Sequence, residues 1–594
     1  MAEQCIGNLD QEIHNEEYHS PFEKPRFTSQ NLFFTGNRKI ESLNGTWYFA
    51  LDQYDTGLRS GWFNVECRNT AEKNPYDYSL DQGDCIEIPS CWNMVKPEYF
   101  YYEGSAWYAR SFPYKPKSPG ERVMLHIGAA NYECKVFLNG IFLGSHLGGS
   151  TPFAVELSQW LQEENWLQLV VNNERTLDRV PMRNTDWFNY GGIYRDVSLF
   201  RLPNEYLKDF RIFLLPDNTY SQIVVETAVS DSKANDFVIV TISDLGVEEN
   251  INLKDGTGSL QFPCTPELWS PETPKLYEVK VRYKQDQVTD YVGFRQIAVK
   301  NEAIELNGEP IFLRGISVHE DDWKKGKCSS EENIKCRFAH AKELGCNFVR
   351  LAHYPHSELA PKIADRMGLL LWEEIPVYWA IDFSNPATFA DAENQLLELI
   401  SRDMNRSSVI IWSVGNENAD TEERLHFMSS LVSMARQKDP TRLISAACLI
   451  NHENRRIEDR LEKHLDVIGI NEYYGWYIPD FNEWEELLSN SNPKKPVVVS
   501  ETGAGAKSGH HGPEDELFTE ENQADVYRKQ IRSIDESSLI HGMTPWVLYD
   551  FRTPKRQNKF QLGFNRKGLI DSDKSTKKMA FYVLQTYYRK RLKR

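Results

Sequence analysis

No C-x-x-C pair occurs among the ten cysteines of this 594-residue chain (Cys5, Cys67, Cys85, Cys91, Cys134, Cys264, Cys328, Cys336, Cys346, Cys448), which excludes a zinc knuckle and a dithiol redox motif. Scattered in this way they read as reduced thiols, which points to a cytoplasmic compartment. No run approaches the roughly 18 apolar residues a membrane helix needs. The first twenty residues, MAEQCIGNLDQEIHNEEYHS, have neither a basic start nor an apolar h-region; export with a leader already removed is left open. Basic residues are in deficit: 68 Lys and Arg against 86 Asp and Glu give a formal charge of −18, so neither nucleic acid nor a membrane surface is an expected partner. P-loop, G-x-G-x-x-G and G-x-S-x-G motifs are also missing, which leaves nucleotide, hydride and serine-hydrolase chemistry unsupported and implies no cofactor.

What is present is length for three or four domains and an aromatic content of 12%, with 15 Trp and 28 Tyr, which suits sugar stacking and an aromatic sandwich core equally well. The chain changes character near residue 298. Before it, short period-two runs alternate with turns. In Val136-Phe137-Leu138, Asn139-Gly140, Ile141-Phe142-Leu143, Asn-Gly supplies the two positive φ angles of a type I′ hairpin turn. Runs at Thr46 to Leu51, Ile86 to Ile88, Trp107 to Phe112, Val123 to Ile127 and Trp166 to Val171 suggest a sandwich spanning roughly residues 30 to 200. A second set, at Ile223 to Val229, Phe237 to Ile242, Tyr277 to Tyr283 and Tyr291 to Val299, reads as a smaller immunoglobulin-like β-sandwich.

After residue 298 the rhythm is strand, helix, strand. Ser330 can cap a helix with Ile334, Phe338, Ala341 and Leu344 on one face, closed by Gly345, and a second helix from about Ser357 to Met367 ends at Gly368. Buried strands are expected near Ile311 to Arg314, Asn347 to Leu351, Leu369 to Trp372, Val409 to Val414, Leu443 to Ser445, Val467 to Ile470, Val497 to Ser500 and Met543 to Leu548. Eight such strands suggest a (β/α)8 TIM barrel.

Barrel chemistry sits at the carboxyl ends of strands. The fourth strand runs into Gly415-Asn416-Glu417 and the seventh into Glu501, so two carboxylates face each other across the mouth. Glycoside cleavage requires such a pair, one protonated to release the leaving oxygen and one ionised to attack the anomeric carbon. Glu373, Glu374 and Glu472 also close strands, and are read as groups that hold neighbours in place. His319-Glu320 lacks H-E-x-x-H spacing and is assigned a structural or sugar-contacting role. His353 and His356, beside Arg350, are read as orienting residues rather than metal ligands, so no metal site is expected.

Asn347-Phe348-Val349-Arg350-Leu351-Ala352-His353-Tyr354-Pro355 and the longer run from Arg402 to Asn418 resemble signatures of glycoside hydrolase family 2, as do Leu43 to Trp47, Tyr190 to Arg195 and Gly293 to Arg295. The resemblance covers nearly the whole chain, and Ser407 departs from it where the family usually has Pro. It implies a jelly-roll β-sandwich sugar-binding domain over 20–202, an immunoglobulin-like domain over 203–298 and a catalytic barrel over 299–594. It further implies a retaining mechanism with Glu417 as acid/base and Glu501 as nucleophile, Tyr473 donating to the nucleophile, Asn416 binding the 2-hydroxyl, and Trp546 as an aromatic wall; His319, Asn471 and Tyr477 complete the expected contacts. A carbohydrate is the expected partner, and a homo-oligomer is left open, since family members are often dimers or tetramers.

For the sugar, Asn565-Arg566-Lys567-Gly568 resembles the Asn-x-Lys element by which β-glucuronidases grip a C6 carboxylate, and Asp186 resembles the acid that the sandwich domain sends into the pocket. The motifs from Glu374 to Trp379 and Asn471 to Tyr477 also look more like β-glucuronidases than β-galactosidases. Gln561 stands where some β-glucuronidases carry an arginine, so a β-galacturonidase or β-galactosidase remains the alternative, with a non-catalytic carbohydrate-binding protein behind both. The Gly-rich segment from Gly503 to Glu516, with His510 and His511, lacks an apolar pattern and is expected to be a mobile loop on the aglycone side.

Overall fold

In the computed structural model, which describes residues 22–64 and 80–592, three bodies of secondary structure follow one another along the chain. Cys5 and Cys67 fall outside the described residues. The first body packs a four-stranded sheet (in order Ile40–Ser42, Val197–Leu202, Arg122–Ile127, Phe153–Glu156) on a six-stranded sheet (Asp84–Ile88, Gly45–Asp52, Ser105–Pro113, Glu164–Asn172, Glu133–Leu138, Ile141–Leu147). Inward residues of both sheets, Trp47, Tyr108, Leu125 and Leu169 among them, form one buried cluster, as period-two alternation requires. The hairpin at Asn139-Gly140 has φ of 54° and 82° at its two turn residues.

The second body is a seven-stranded sandwich of a three-stranded sheet (Leu207–Leu214, Gln222–Val229, Thr257–Pro263) and a four-stranded one (Val247–Asn252, Phe237–Ile242, Tyr277–Tyr283, Asp286–Val292). The run Tyr291 to Val299, expected as one strand, is two: the sheet ends at Val292 and a new strand begins at Ile297. The break falls at Gly293, whose N–H donates to Ser407 Oγ at 2.7 Å while that hydroxyl donates back to Gly293 O at 2.9 Å. Ser407 therefore joins sandwich to barrel through a hydroxyl that proline lacks.

The third body is a closed barrel of eight parallel strands: β1 (Leu313–Val318), β2 (Phe348–Leu351), β3 (Leu370–Glu374), β4 (Val409–Asn416), β5 (Leu443–Cys448), β6 (Val467–Asn471), β7 (Val497–Glu501) and β8 (Ile540–Met543). Seven helices surround it: α1 (Glu331–Leu344), α2 (Leu359–Met367), α3 (Pro386–Asp403), α4 (Glu422–Lys438), α5 (Phe481–Asn490), α6 (Glu520–Glu536) and α7 (Met579–Arg591). Ser330 caps α1 as its sequence suggests, and Gly345 closes it in the left-handed conformation at φ 100°. The strands are covered on both faces, which explains their continuous apolar runs.

Two strands differ from expectation. β1 starts at Leu313 rather than Ile311 and continues to Val318, because Arg314, Gly315 and Ser317 interrupt the apolar run without interrupting the strand. β8 lies at Ile540–Met543, ahead of the expected Met543 to Leu548. Val547 and Leu548 are buried instead by a returning loop, with Leu548 N–H on Ser317 O and Leu569 N–H on Val547 O, both at 2.9 Å. Burial produced the apolar signal there, and barrel pairing did not. Among the described residues no helix is long and apolar enough to cross a membrane.

Candidate active site

Arg350, at the end of β2 and fully buried, is the hub of the barrel mouth. Its Nη1 donates to Glu501 Oε1 at 2.9 Å, its Nη2 to Asn416 Oδ1 at 2.8 Å, and its Nε and Nη2 reach the two oxygens of Glu374 at 3.1 Å each. Burial opposes a charge on Arg350, but Glu374 and Glu501 hold it protonated. Glu374, also beside His353 Nδ1 at 2.8 Å, is ionised in turn: burial works against it, yet Arg350 and His353 bring it down to about 2. Removing one member of so buried a network costs about 3–5 kcal/mol.

The two strand-end glutamates have different surroundings. Glu501 accepts from Arg350 and, on its other oxygen, from the Tyr473 hydroxyl at 2.6 Å, so one of its two donors is cationic. Burial and the negative charge of Glu501 keep the Tyr473 phenol protonated as that donor. Glu417 accepts from Trp379 Nε1 at 2.7 Å and from Asn471 Nδ2 at 2.9 Å, both neutral. Burial, then the neighbouring charge of Glu501, raises its pKa above the ordinary value. Glu417 sits at φ 54°, a left-handed backbone that costs a non-glycine residue on the order of 1 kcal/mol, just where the register of β4 against β5 shifts between Ser413 and Asn416. Asn471 also donates to Asn416 Oδ1 at 3.1 Å. The buried Asn416 Nδ2 has no partner among the described residues, so it can donate to a bound hydroxyl.

Aromatic rings wall the same space. Trp546 and Trp187 both stack on His353, at 4.8 and 5.6 Å, and Trp546 also meets His319 edge-on at 5.1 Å. His319 Nδ1 lies 3.1 Å from the Tyr354 hydroxyl; burial, with His353 and His356 nearby, drives its pKa well down and keeps the ring neutral. His356 Nε2 is taken by Ala352 O at 2.8 Å. Among the described residues no group of three metal-ligating side chains gathers. Glu373 is buried, its pKa raised well above normal by burial and by Asp403. Glu472, raised to about 7 by burial, is tied to Tyr474 N and Gln530 Nε2.

The remaining expected residues form a second cluster, joined to the first by the Tyr473 and Tyr477 rings at 5.3 Å. Lys567 Nζ donates to the Tyr477 hydroxyl at 2.7 Å and lies over the rings of Tyr477, Tyr473 and Trp476 at 4.5, 4.9 and 5.7 Å. The side chain is buried, which lowers its pKa, and it makes no ion pair among the described residues. Asn565 accepts from the Lys567 N–H at 3.1 Å and donates to Asp186 Oδ2 at 3.0 Å. Asp186 arrives from the first sandwich on the segment following its last six-sheet strand, and also accepts from Thr553 Oγ1 at 3.1 Å.

Sequence reasoning missed Arg556, which donates to both oxygens of Asp186 and, through Nη1, to the Tyr477 hydroxyl at 3.1 Å. It sits in a run, Lys555 to Lys559, that reads as a solvated basic turn, and no spacing signals an acid 370 residues away. Gln561 is held inside this loop, accepting from Asn558 Nδ2 at 2.7 Å. In the segment from Gly503 to Glu516, expected to be a mobile loop, Ala506 N–H bonds Arg566 O at 2.9 Å, and Gly509 and Gly512 N–H bond the side chains of Glu520 and Glu521 at the start of α6.

A (β/α)8 barrel behind two sandwiches, with two unlike carboxylates and a ring-walled pocket at the strand ends, has the parts for cleaving a glycosidic bond. Family models described as "Glycosyl hydrolases family 2, TIM barrel domain", "Glycosyl hydrolases family 2, sugar binding domain" and "Glycosyl hydrolases family 2" match residues 297–591, 40–203 and 206–295. The chain belongs to glycoside hydrolase family 2. It is 28% identical to a β-glucuronidase of Paenibacillus borealis, over 92% of this chain and 96% of that one. Similar solved structures include an uncultured Clostridium β-glucuronidase (TM-score 0.81, 26% identity, 94% of this chain and 98% of that) and a β-galacturonidase from Eisenbergiella tayi bound to glycerol (TM-score 0.79, 25% identity, 94% and 98%).

Proposed function

We propose that the chain is a retaining exo-acting β-glucuronidase. Glu501, whose two oxygens accept from Arg350 and Tyr473, attacks the anomeric carbon while Glu417, its pKa raised by burial and by Glu501, gives its proton to the leaving oxygen. In the second half Glu417, now a base, takes a proton from water as it attacks, and the ester to Glu501 breaks. Asn416 Nδ2 is available to the 2-hydroxyl, a contact expected to strengthen in the transition state.

The observation that carries the choice of sugar is Lys567. A buried ammonium that faces aromatic rings and a phenol, with no acid within ion-pair distance among the described residues, bears a desolvation cost that an incoming carboxylate would relieve. A galactoside offers no such anion. Lys567→Ala is expected to lower kcat/KM for p-nitrophenyl β-D-glucuronide by about 100-fold, and for the corresponding glucoside by less than about threefold; equal losses on both would count against a carboxylate-binding role. The C4 epimer carries the same charge, and the similar β-galacturonidase supports a galacturonide as the second reading.

A further inference from the structure

We propose that Arg556 is a second carboxylate-binding cation of this site, acting with Lys567 on the same sugar carboxylate; the inference rests on the uronide reading above. Arg556 Nη1 and Lys567 Nζ both donate to one neutral oxygen, the Tyr477 hydroxyl, at 3.1 and 2.7 Å. Two cations converging on one uncharged acceptor repel each other. An arginine needed only to neutralise Asp186 gains nothing by turning an N–H towards a buried ammonium. That arrangement becomes favourable when an anion lies between them.

The other edge of the guanidinium fixes its direction. Nε and Nη2 meet Asp186 Oδ1 and Oδ2 at 3.2 and 2.9 Å, a fork geometry that sets the plane of the group. Asp186 is held in turn by Thr553 and Asn565. The loop that carries Arg556 is closed at its base by Thr553 N–H to Gly563 O at 2.9 Å and Gly563 N–H to Arg556 O at 2.7 Å. Nη1 is thus presented by a rigid frame towards Lys567. One carboxylate, Asp186, faces Arg556, Lys567 and the nearby Lys555, so the cluster carries an excess of positive charge that a uronate can offset. The Tyr477 phenol reports the same field: burial opposes its ionisation, yet Lys567 and Arg556 carry its pKa below the ordinary value.

The test measures kcat and KM of wild type, Arg556→Ala, Arg556→Lys, Lys567→Ala and the double alanine variant on p-nitrophenyl β-D-glucuronide and the matching neutral glucoside. Arg556→Ala is expected to lower kcat/KM about 10- to 100-fold on the glucuronide, chiefly through KM, and less than about threefold on the glucoside. The double variant should lose less than the product of the single losses, because both groups hold one anion. Equal loss on both substrates would make Arg556 a structural partner of Asp186 and overturn the proposal. A glucuronide preference abolished by Lys567→Ala but untouched by Arg556→Ala overturns it while leaving the uronide reading in place; a wild type without glucuronide preference overturns both. Should the alanine variant fail to fold, inhibition of Arg556→Lys by free D-glucuronate, with D-glucose as control, decides: a Ki raised at least about threefold supports the proposal, since lysine keeps the charge but loses the fork, and an unchanged Ki refutes it.

Discussion

Glu417 and Glu501 are the same amino acid in unlike surroundings, and the proposed mechanism gives them opposite tasks. Glu501 meets a guanidinium and a phenol, whereas Glu417 meets an indole and an amide, both neutral, with the charge of Glu501 beside it. The raised pKa of Glu417 has a definite sign in kinetics. In the proposed mechanism the glycosylation step needs its proton, so kcat/KM should fall as pH rises through that raised pKa, placing the alkaline limb above the ordinary carboxylate range. Glu417→Gln should flatten the alkaline limb on a p-nitrophenyl substrate, and an unchanged limb would assign it to another group. Glu501→Gln is expected to remove at least about 10⁴-fold of kcat while leaving the thermal melt near that of wild type. The positions of both glutamates were legible in the sequence as residues that follow apolar strands. Their unlike environments were not, because Arg350, Trp379 and Asn471 reach them through space from β2, the loop after β3 and β6.

Among the elements, helix ends were read well, since caps are local chemistry: Ser330, Gly345 and Gly368 stand where their types require. Strands with interrupted or misleading apolar runs, β1 and β8, were read less well, because burial by a returning loop imitates burial in a barrel. Two glycines separate backbone conformation from close packing. Gly368, closing α2 at φ 67°, would place a Cβ 2.2 Å from the Pro271 carbonyl oxygen of the second sandwich, whereas Gly563, at φ 84°, has nothing within 4 Å. Gly563→Ala should therefore cost about 1 kcal/mol for the left-handed backbone alone. Gly368→Ala should cost roughly 3 kcal/mol or more, as the clash must move backbone. Urea midpoints of the two variants check this, and equal losses would contradict it.

Taken as a whole molecule, the pocket is shared between bodies that fold around separate cores. Asp186 comes from the first sandwich, Arg556 and Lys567 from the loops after β8, and the buried Arg195–Glu320 pair at 2.7 Å fastens that sandwich to the barrel beside them. The order of the bodies was legible because the hydrophobic period changes along the chain. The assembly of Asp186, Arg556 and Tyr477 was not, since no local pattern encodes contacts between segments hundreds of residues apart. This composite pocket is proposed to select a charged sugar. The most direct test is kcat/KM at near-neutral pH for p-nitrophenyl β-D-glucuronide, β-D-galacturonide and β-D-galactoside, measured side by side on the purified chain. The glucuronide is expected to be preferred over the galactoside by at least about 100-fold, the worth of a lost charge-assisted contact, with the galacturonide behind it. Preference for the galactoside would contradict the claim and reduce the segment from Asn565 to Lys567 to a turn.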